Sequence, residues 1–397
     1  MWTGRRVVLG VSGGIACYKS CILARRLSEA GAGVDVVMTR AAQEFVRPVT
    51  FEALTGRPVL TSLWEPGRAL SHVRLAQDAD VIIVAPATAQ LIARFAQGMA
   101  DDFLTALLLA ATAPVLLAPA MNDEMFASEA TRANLARLDQ RAALVGPATG
   151  ALAEGPSDRP GRMSEPDVIM AHAERLVRAR ASHLAGKRVI VTAGPTRESI
   201  DPVRVITNRS SGRMGFALAA AAWTRGADVL LISGPSALAA PDGVEVIRVE
   251  STDDLAAAVQ AALPGADVLV MAAAPADFRP ARAEPTKRAR GQGEMQIELV
   301  PTADVLESTA ASRKPGAIIV GFALETGNAL ARAREKLARK RLDLIVVNDA
   351  LEPGAGFEVT TNRVTLVGRD GSVAELPLAS KQEVAHLILD AVEARLG

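Results

Sequence analysis

The 397-residue sequence holds two cysteines, four histidines and one tyrosine, and aromatic residues make up only 3% of it. Cys17 and Cys21 lie four positions apart, with no CxxC pair and no Cys/His cluster. That pattern excludes a disulfide scaffold or a zinc-finger-type site and predicts a reducing compartment. An excess of charge is lacking too. Lys+Arg and Asp+Glu are both 44, so bulk charge predicts no nucleic-acid partner. Long apolar runs are also missing. The longest, 103–120, is interrupted by threonines and Pro114 and reads as a helix followed by a strand, so no membrane partner is predicted. The run Val7–Val11 ends in glycines, as a strand does and a signal peptide does not. Together these features predict a cytoplasmic protein with room for two or three cores.

What is present is a repeating strand–helix pattern. Strands are expected at Arg6–Val11, Val34–Met38, Val81–Val84 and Val115–Leu117, with a helix from about Ile15 to Glu29. A charged, alanine-rich stretch from Ala171 to Ala185 reads as a helix, and at Gly186 the pattern begins afresh. Strands follow at Val189–Val191, Val229–Ile232, Val268–Ala272, Ile318–Phe322 and Leu344–Val347, with a long helix over Asn328–Arg341. This alternation predicts α/β architecture: two Rossmann-like three-layer domains with mainly parallel sheets, divided at 1–185 and 186–397. Ligands of such sheets bind outside the carboxyl ends of the strands. The small and polar residues at Ser12–Ile15, Thr39, Ala85–Thr88 and Pro119–Asn122 are therefore the first places to look. In the second half, the loop Asn208–Gly215 opens onto a helical run amid Arg197, Arg204, Arg209 and Arg213, a setting suited to phosphate.

The whole string from Gly186 to Gly215, GKRVIVTAGPTRESIDPVRVITNRSSGRMG, closely resembles the start of a phosphopantothenate–cysteine ligase domain. That domain belongs to the bifunctional coenzyme A biosynthesis flavoproteins, which join it to a phosphopantothenoylcysteine decarboxylase. The first half matches the decarboxylase at Gly10–Ala16, at Ala85-Pro86-Ala87-Thr88, at Gly98–Asp102 and at the PxMNxxM-type string Pro119–Met125. The resemblance implies FMN contacts at Ser12, Gly13, Gly14, Ile15, Thr39, Phe45, Ala85, Pro86, Ala87, Thr88 and Met99. His72 would position or deprotonate the substrate, and Asn122 would hold its carboxylate. In that chemistry, hydride transfer from the cysteine moiety gives a thioaldehyde that accepts the electrons left by departing CO2. Many members carry a flap cysteine that protonates the enethiol product of that step. Here the flap 150–156 has Glu154 at that position, and a carboxylic acid shielded from water is a candidate donor in its place, as is water.

The ligase resemblance implies CTP as co-substrate with Mg2+. Its contacts would be Met271, Ala272, Ala273, Asp277, Lys287, Ala303, Asp304, Val305, Leu306, Phe322, Lys336 and Lys340, with Asp277 as the metal-linked carboxylate. Asn208 and Lys287 would act in turnover of the acyl-cytidylate. The family's KxKK motif appears as Lys287-Arg288-Ala289-Arg290, so only its first lysine is kept. The resemblance further implies a homo-oligomer, a dodecamer built from trimers of one half and dimers of the other. Two alternatives stay open at this level: a flavoprotein half that stops at oxidative decarboxylation, and one that serves only as a regulatory binding module.

Overall fold

The computed structural model describes residues 2–64, 70–287, 296–325, 329–349 and 359–396. The chain divides into two compact units, Met1–Val177 and Arg178–Gly397.

The first unit runs β1 (Arg6–Val11), α1 (Cys17–Glu29), β2 (Gly33–Met38), α2 (Pro48–Thr55), α3 (Ser71–Asp78), β3 (Val81–Ala87), α4 (Ala89–Ala96) and α5 (Phe103–Leu109). It continues through β4 (Val115–Pro119), α6 (Asp123–Ala127), α7 (Glu129–Leu138), β5 (Ala143–Leu144) and α8 (Pro166–Arg178). Its sheet has the order β2-β1-β3-β4-β5, and every pairing is parallel. Alternate residues of each strand serve opposite faces, because strand side chains alternate with period two. Val7, Leu9 and Val11 join one core with Leu23 and Leu27 of α1, while Val8 joins the other with Phe103 and Leu107 of α5. The sheet is therefore covered on both sides, which is why its strands read as unbroken apolar runs.

The second unit runs β6 (Arg188–Ala193), β7 (Arg197–Ser199), β8 (Val205–Thr207), α9 (Arg213–Thr224), β9 (Asp228–Ser233), β10 (Glu245–Arg248), α10 (Thr252–Ala262) and β11 (Val268–Met271). There follow β12 (Phe278–Pro280), β13 (Leu299–Pro301), α11 (Val305–Ser308), β14 (Ile318–Glu325), α12 (Ala329–Arg339) and β15 (Leu344–Asp349). Last come β16 (Thr361–Asn362), β17 (Val364–Gly368), β18 (Val373–Glu375), β19 (Ala379–Ser380) and α13 (Lys381–Glu393). Its main sheet is β10-β9-β6-β11-β14-β15-β17-β18, parallel as far as β15 and antiparallel at the last two strands. Ile190, Leu230, Leu269 and Ile345 pack with α10 and α12 on one face. Toward the C-terminal end, Arg225 is 2% exposed and clasps α13 through Asp390 at 2.6 Å, Glu393 at 2.5 Å and the His386 carbonyl at 2.8 Å. Two ion pairs with a guanidinium satisfy a cation that burial would otherwise penalise.

One expected element moves. The helix placed at 171–185 starts five residues earlier and ends at Arg178, because Pro166 pre-sets the first helical turn. Ala181 and Ala185 bond back as turns, and nothing continues the helical ladder beyond.

Candidate active sites

In the order β2-β1-β3-β4-β5 the chain reverses direction of growth between β1 and β3, and that switch point is where such sheets bind ligands. Ser12, just past β1, is buried and its hydroxyl donates to the Pro86 carbonyl at 2.7 Å. It also accepts from the Thr88 backbone N–H at 3.0 Å, so the two strand ends are bolted together. Gly13 must be glycine: a Cβ there would meet Ala41 Cβ at 2.5 Å and its carbonyl carbon at 2.6 Å. The backbone N–H groups of Gly13, Gly14 and Ile15 have no acceptor among the described residues, which leaves them for an anion.

Beside this loop opens a cavity of about 690 Å³, walled by Ile15, Met121, Met125 and Leu152 with Asn122, Glu154, Lys19 and Arg162. Asn122 caps α6. Its Oδ1 accepts from the backbone of Glu124 at 2.9 Å and Met125 at 3.3 Å, leaving the amide donors outward. One of these donates to Glu154 Oε1 at 3.2 Å. The structure thus brings Asn122 and Glu154 together, although Glu154 is exposed and the dry surroundings expected for it are absent from this chain. Glu154 rides on a hairpin-like flap whose base pairs Ala148 with Arg162 and whose tip pairs Leu152 with Gly155. Lys19, 4% exposed, secures the returning limb through the Met163 carbonyl at 2.7 Å and Glu165 at 2.9 Å. Lys19 escaped the sequence reading, since a lysine within a helix carries no signal of burial. Thr39 lines an adjoining cavity of about 440 Å³ with Ser12, Gly13 and Thr88.

Other expected residues lie off these cavities. Ala85, Pro86 and Ala87 belong to the buried end of β3 rather than to a loop. Phe45 is 50% and Met99 45% exposed, and they line neither of these two cavities. His72 stands in the first turn of α3, its ring edge-on to Phe103 at 6.1 Å, with Nδ1 buried and unpartnered among the described residues.

In the second unit, the order β10-β9-β6-β11-β14-β15 places the switch point between β6 and β11. Two cavities, of about 490 and 220 Å³, open there and share Ala273, Pro275, Asp277 and Phe322. Asn208 ties its loop to the strand end, its amide donating to the carbonyls of Ala274 at 3.0 Å and Pro275 at 2.9 Å. Gly215 lets α9 press on β6, since a Cβ would come within 2.5 Å of Ala193 Cβ. The smaller cavity gathers Met271, Ala273, Asp277, Ala303, Asp304, Val305, Leu306, Phe322 and Lys340, nearly the whole expected set. Ala272 lines the larger one. Asp304 caps α11 and pairs with Lys340 Nζ at 2.6 Å. Burial pushes its carboxyl upward, but Lys340 and the helix amides outweigh that and hold it below the usual carboxylate range.

Lys336 and the exposed Lys287 line neither cavity, and positions 288–290 of the lysine motif lie outside the described residues. The larger cavity takes in Arg213 from the arginine-lined loop and adds residues that sequence reasoning did not assign to a site: Asn348, Asn362 and Lys381. Lys381 gave no signal.

Two doubly wound units, each with a walled switch point, define a two-site α/β protein with a flavoprotein-type first half. The family model described as Flavoprotein matches residues 1–178, and the DNA/pantothenate metabolism flavoprotein C-terminal domain matches 184–396. The chain is 49% identical over 403 residues to the coenzyme A biosynthesis bifunctional protein CoaBC of Mycobacterium tuberculosis (strain H37Rv), covering 98% of this chain and 96% of that one. It is 46% identical over 398 residues to the CoaBC of Vibrio cholerae, covering 99% of each. A crystal structure of a C-terminal domain of CoaBC is 41% identical, covering 54% of this chain and 98% of that one, with a TM-score of 0.47. The chain belongs to the family of bifunctional coenzyme A biosynthesis proteins. It is accordingly an enzyme with two activities, and full-length likeness to such proteins does not favour the reading of its first half as a mere binding module. Among the described residues no helix is long and apolar enough to cross a membrane.

Proposed function

We propose that the second unit joins 4′-phosphopantothenate to L-cysteine using CTP and Mg2+, and that the first unit decarboxylates the product to 4′-phosphopantetheine with FMN. The observation that supports this most is the position of the cavities: each opens at the switch point of its own mainly parallel sheet, with matched motif residues on its walls. The first unit's residues suit FMN. Unpaired amides at Gly13–Ile15 match a phosphate, and the Ile15, Met121, Met125 and Leu152 walls match a flat ring system. When bound, FMN supplies the two-electron oxidation and its reversal. Asn122, oriented by its cap bonds, receives the substrate carboxylate at the donor now engaged by Glu154. Glu154, so released, is placed to deliver the last proton.

In the second unit, CTP's base takes the smaller cavity beside Phe322, and Lys340 and the α9 amides face its phosphates. Asp277 is a single carboxylate between the cavities, and no trio of His, Cys, Asp or Glu forms a metal cluster among the described residues. That suits a Mg2+ carried chiefly by substrate phosphates. Asn208, fixed by two carbonyls, offers a rigid polar group beside the acyl phosphate. The protein works in the cytoplasm as a homo-oligomer of trimers and dimers. Exposed Ile15, Tyr18, Ile22, Phe45 and Met99 supply apolar surface for the threefold contact and bring FMN near a subunit boundary.

The test is incubation of purified protein with 4′-phosphopantothenate, cysteine, CTP and Mg2+, followed by mass analysis. CMP, pyrophosphate, CO2 and 4′-phosphopantetheine are expected. Accumulation of phosphopantothenoylcysteine alone would overturn the first half, and unconsumed CTP the second.

A further inference from the structure

Arg341 is the one non-glycine residue with a positive φ, 50°, among the described residues. It stands just past α12, where the chain turns out of the helix. The Arg341 N–H donates to the Ala338 carbonyl at 3.2 Å, and the Leu342 N–H donates to the Leu337 carbonyl at 2.9 Å. Paired bonds of this kind close a helix over a left-handed residue, a place that ordinarily falls to glycine. An arginine there bears a steric cost, and such strain persists only where the surroundings hold it.

Arg313 supplies that hold. Its Nη1 donates to the Lys340 and Arg341 carbonyls, each at 3.1 Å, and its Nη2 donates to the Leu306 carbonyl at 2.7 Å. Arg369 adds a bond from Nε to the Leu342 carbonyl at 3.0 Å. The last carbonyls of a helix lack partners within it and carry the negative end of its dipole, so they draw cations. The Leu306 carbonyl, however, belongs to α11, and capping α12 does not call for that third bond.

The third bond joins two segments that line the smaller, 220 Å³ cavity: Leu306, with Ala303 and Val305, comes from one, and Lys340 from the other. Inside the cavity the same segments meet again where Lys340 Nζ pairs with Asp304 at 2.6 Å. A bound phosphate would compete for that ammonium. Arg313 lines neither switch-point cavity, so its fork stays out of a ligand's reach.

We propose that Arg313 is a positioning residue for the nucleotide: its fork fixes α11 against the end of α12 and so sets the width of the smaller cavity, where the CTP base is selected. This rests on the ligase reading given above. A guanidinium is planar and holds its bonds in fixed directions, which a lysine ammonium does not. Groups held at set distances discriminate one base from another, and a loosened wall loses that discrimination.

The experiment measures KM and kcat of the full chain for CTP, UTP, 4′-phosphopantothenate and cysteine by pyrophosphate release. Arg313→Met raises KM for CTP about tenfold and leaves kcat within about threefold, since ground state and transition state lose the same binding. The preference for CTP over UTP narrows about fivefold or more, while KM for cysteine is unchanged. Arg313→Lys, which keeps the charge at the helix end without the fork, recovers little of this. Unchanged CTP kinetics in folded Arg313→Met, or full recovery by Arg313→Lys, overturn the proposal. Adding Arg341→Gly to Arg313→Met relieves the strained turn and serves where the single variant does not fold. A CTP defect that persists in the double variant supports positioning. Kinetics restored to those of the parent would show that Arg313 only steadies the helix end, and would overturn it. A parent that consumes no CTP and gains no thermal stability from CMP refutes the ligase reading, and this inference falls with it.

Discussion

The two units apply one architectural rule to opposite chemical ends. In the first, a five-stranded all-parallel sheet reverses between β1 and β3, and its cavity wall is mostly apolar, with Met121, Met125, Ile15 and Leu152. In the second, an eight-stranded sheet reverses between β6 and β11, and cations crowd the wall. Topology decides where a ligand sits; the side chains after the strands decide which. The same contrast appears in how the loops are held. Ser12 bolts one strand end to its neighbour through a hydroxyl, whereas Asn208 does so through an amide.

The comparison is broken most severely at Gly13. Gly13→Val places a side chain where Ala41 stands, so the first unit should lose flavin altogether while CTP consumption stays within about twofold. Absorbance near the flavin bands and a pyrophosphate-release assay on one preparation check both halves. Joint loss would show that the units do not fold and work separately.

Glu154→Gln tests whether the polar rim of the apolar site does chemistry. Release of CO2 should persist while 4′-phosphopantetheine formation falls roughly 10²–10⁴-fold, the usual cost of a lost general acid. Asn122→Ala should fail earlier, before CO2 appears. Full product formation by Glu154→Gln would make Glu154 a bystander.

A smaller effect separates the units by pH. Burial, then Arg178 and Arg225, lower His386 in the second unit from 6.5 to about 4. Asp390 pulls the other way. The unfolded chain therefore binds the proton more readily than the folded one between those values. Stability is complete above about pH 6.5 and is lost as pH falls toward 4, by roughly 3 kcal/mol from this residue. His386→Phe should flatten that slope in acid-dependent denaturant melts of the second unit. An unchanged slope would assign it to other groups.

The mildest expectation is that residues 186–397 alone retain ligase turnover within a few-fold of the full chain. Loss of activity in a folded fragment would mean that the first half contributes to the second site.

Much of this was legible in the sequence because strand ends rich in small residues mark themselves. The glycine loop after β1 and the Ala272–Asp277 segment both fell where the sheets reverse. Lys336 and Lys340, four apart, looked equivalent, yet α12 ends at Arg339 and only Lys340 lines a cavity. Ala85–Ala87 read as loop because Pro86 interrupts the apolar run, but Ala87 pairs with Pro119 in the sheet. The antiparallel edge of β17 and β18 went unread, since β18 is three exposed residues long. Lys381 was illegible for a deeper reason. Its burial comes from α13 packing on α9 and from the β16–β19 ladder, contacts between segments far apart in the chain.

The flap of the first unit is fastened to the helix it covers. Ser157 donates to Asp123 at 2.7 Å, Arg159 grips Glu124, and the Met121 N–H donates to the Gly161 carbonyl at 3.0 Å. Asn122 stands between those anchors. The flap is therefore hinged about Asn122, the residue proposed to hold the substrate carboxylate. On that proposal, admitting a substrate and gripping its carboxylate are one mechanical event, and a change that loosens the hinge weakens the grip.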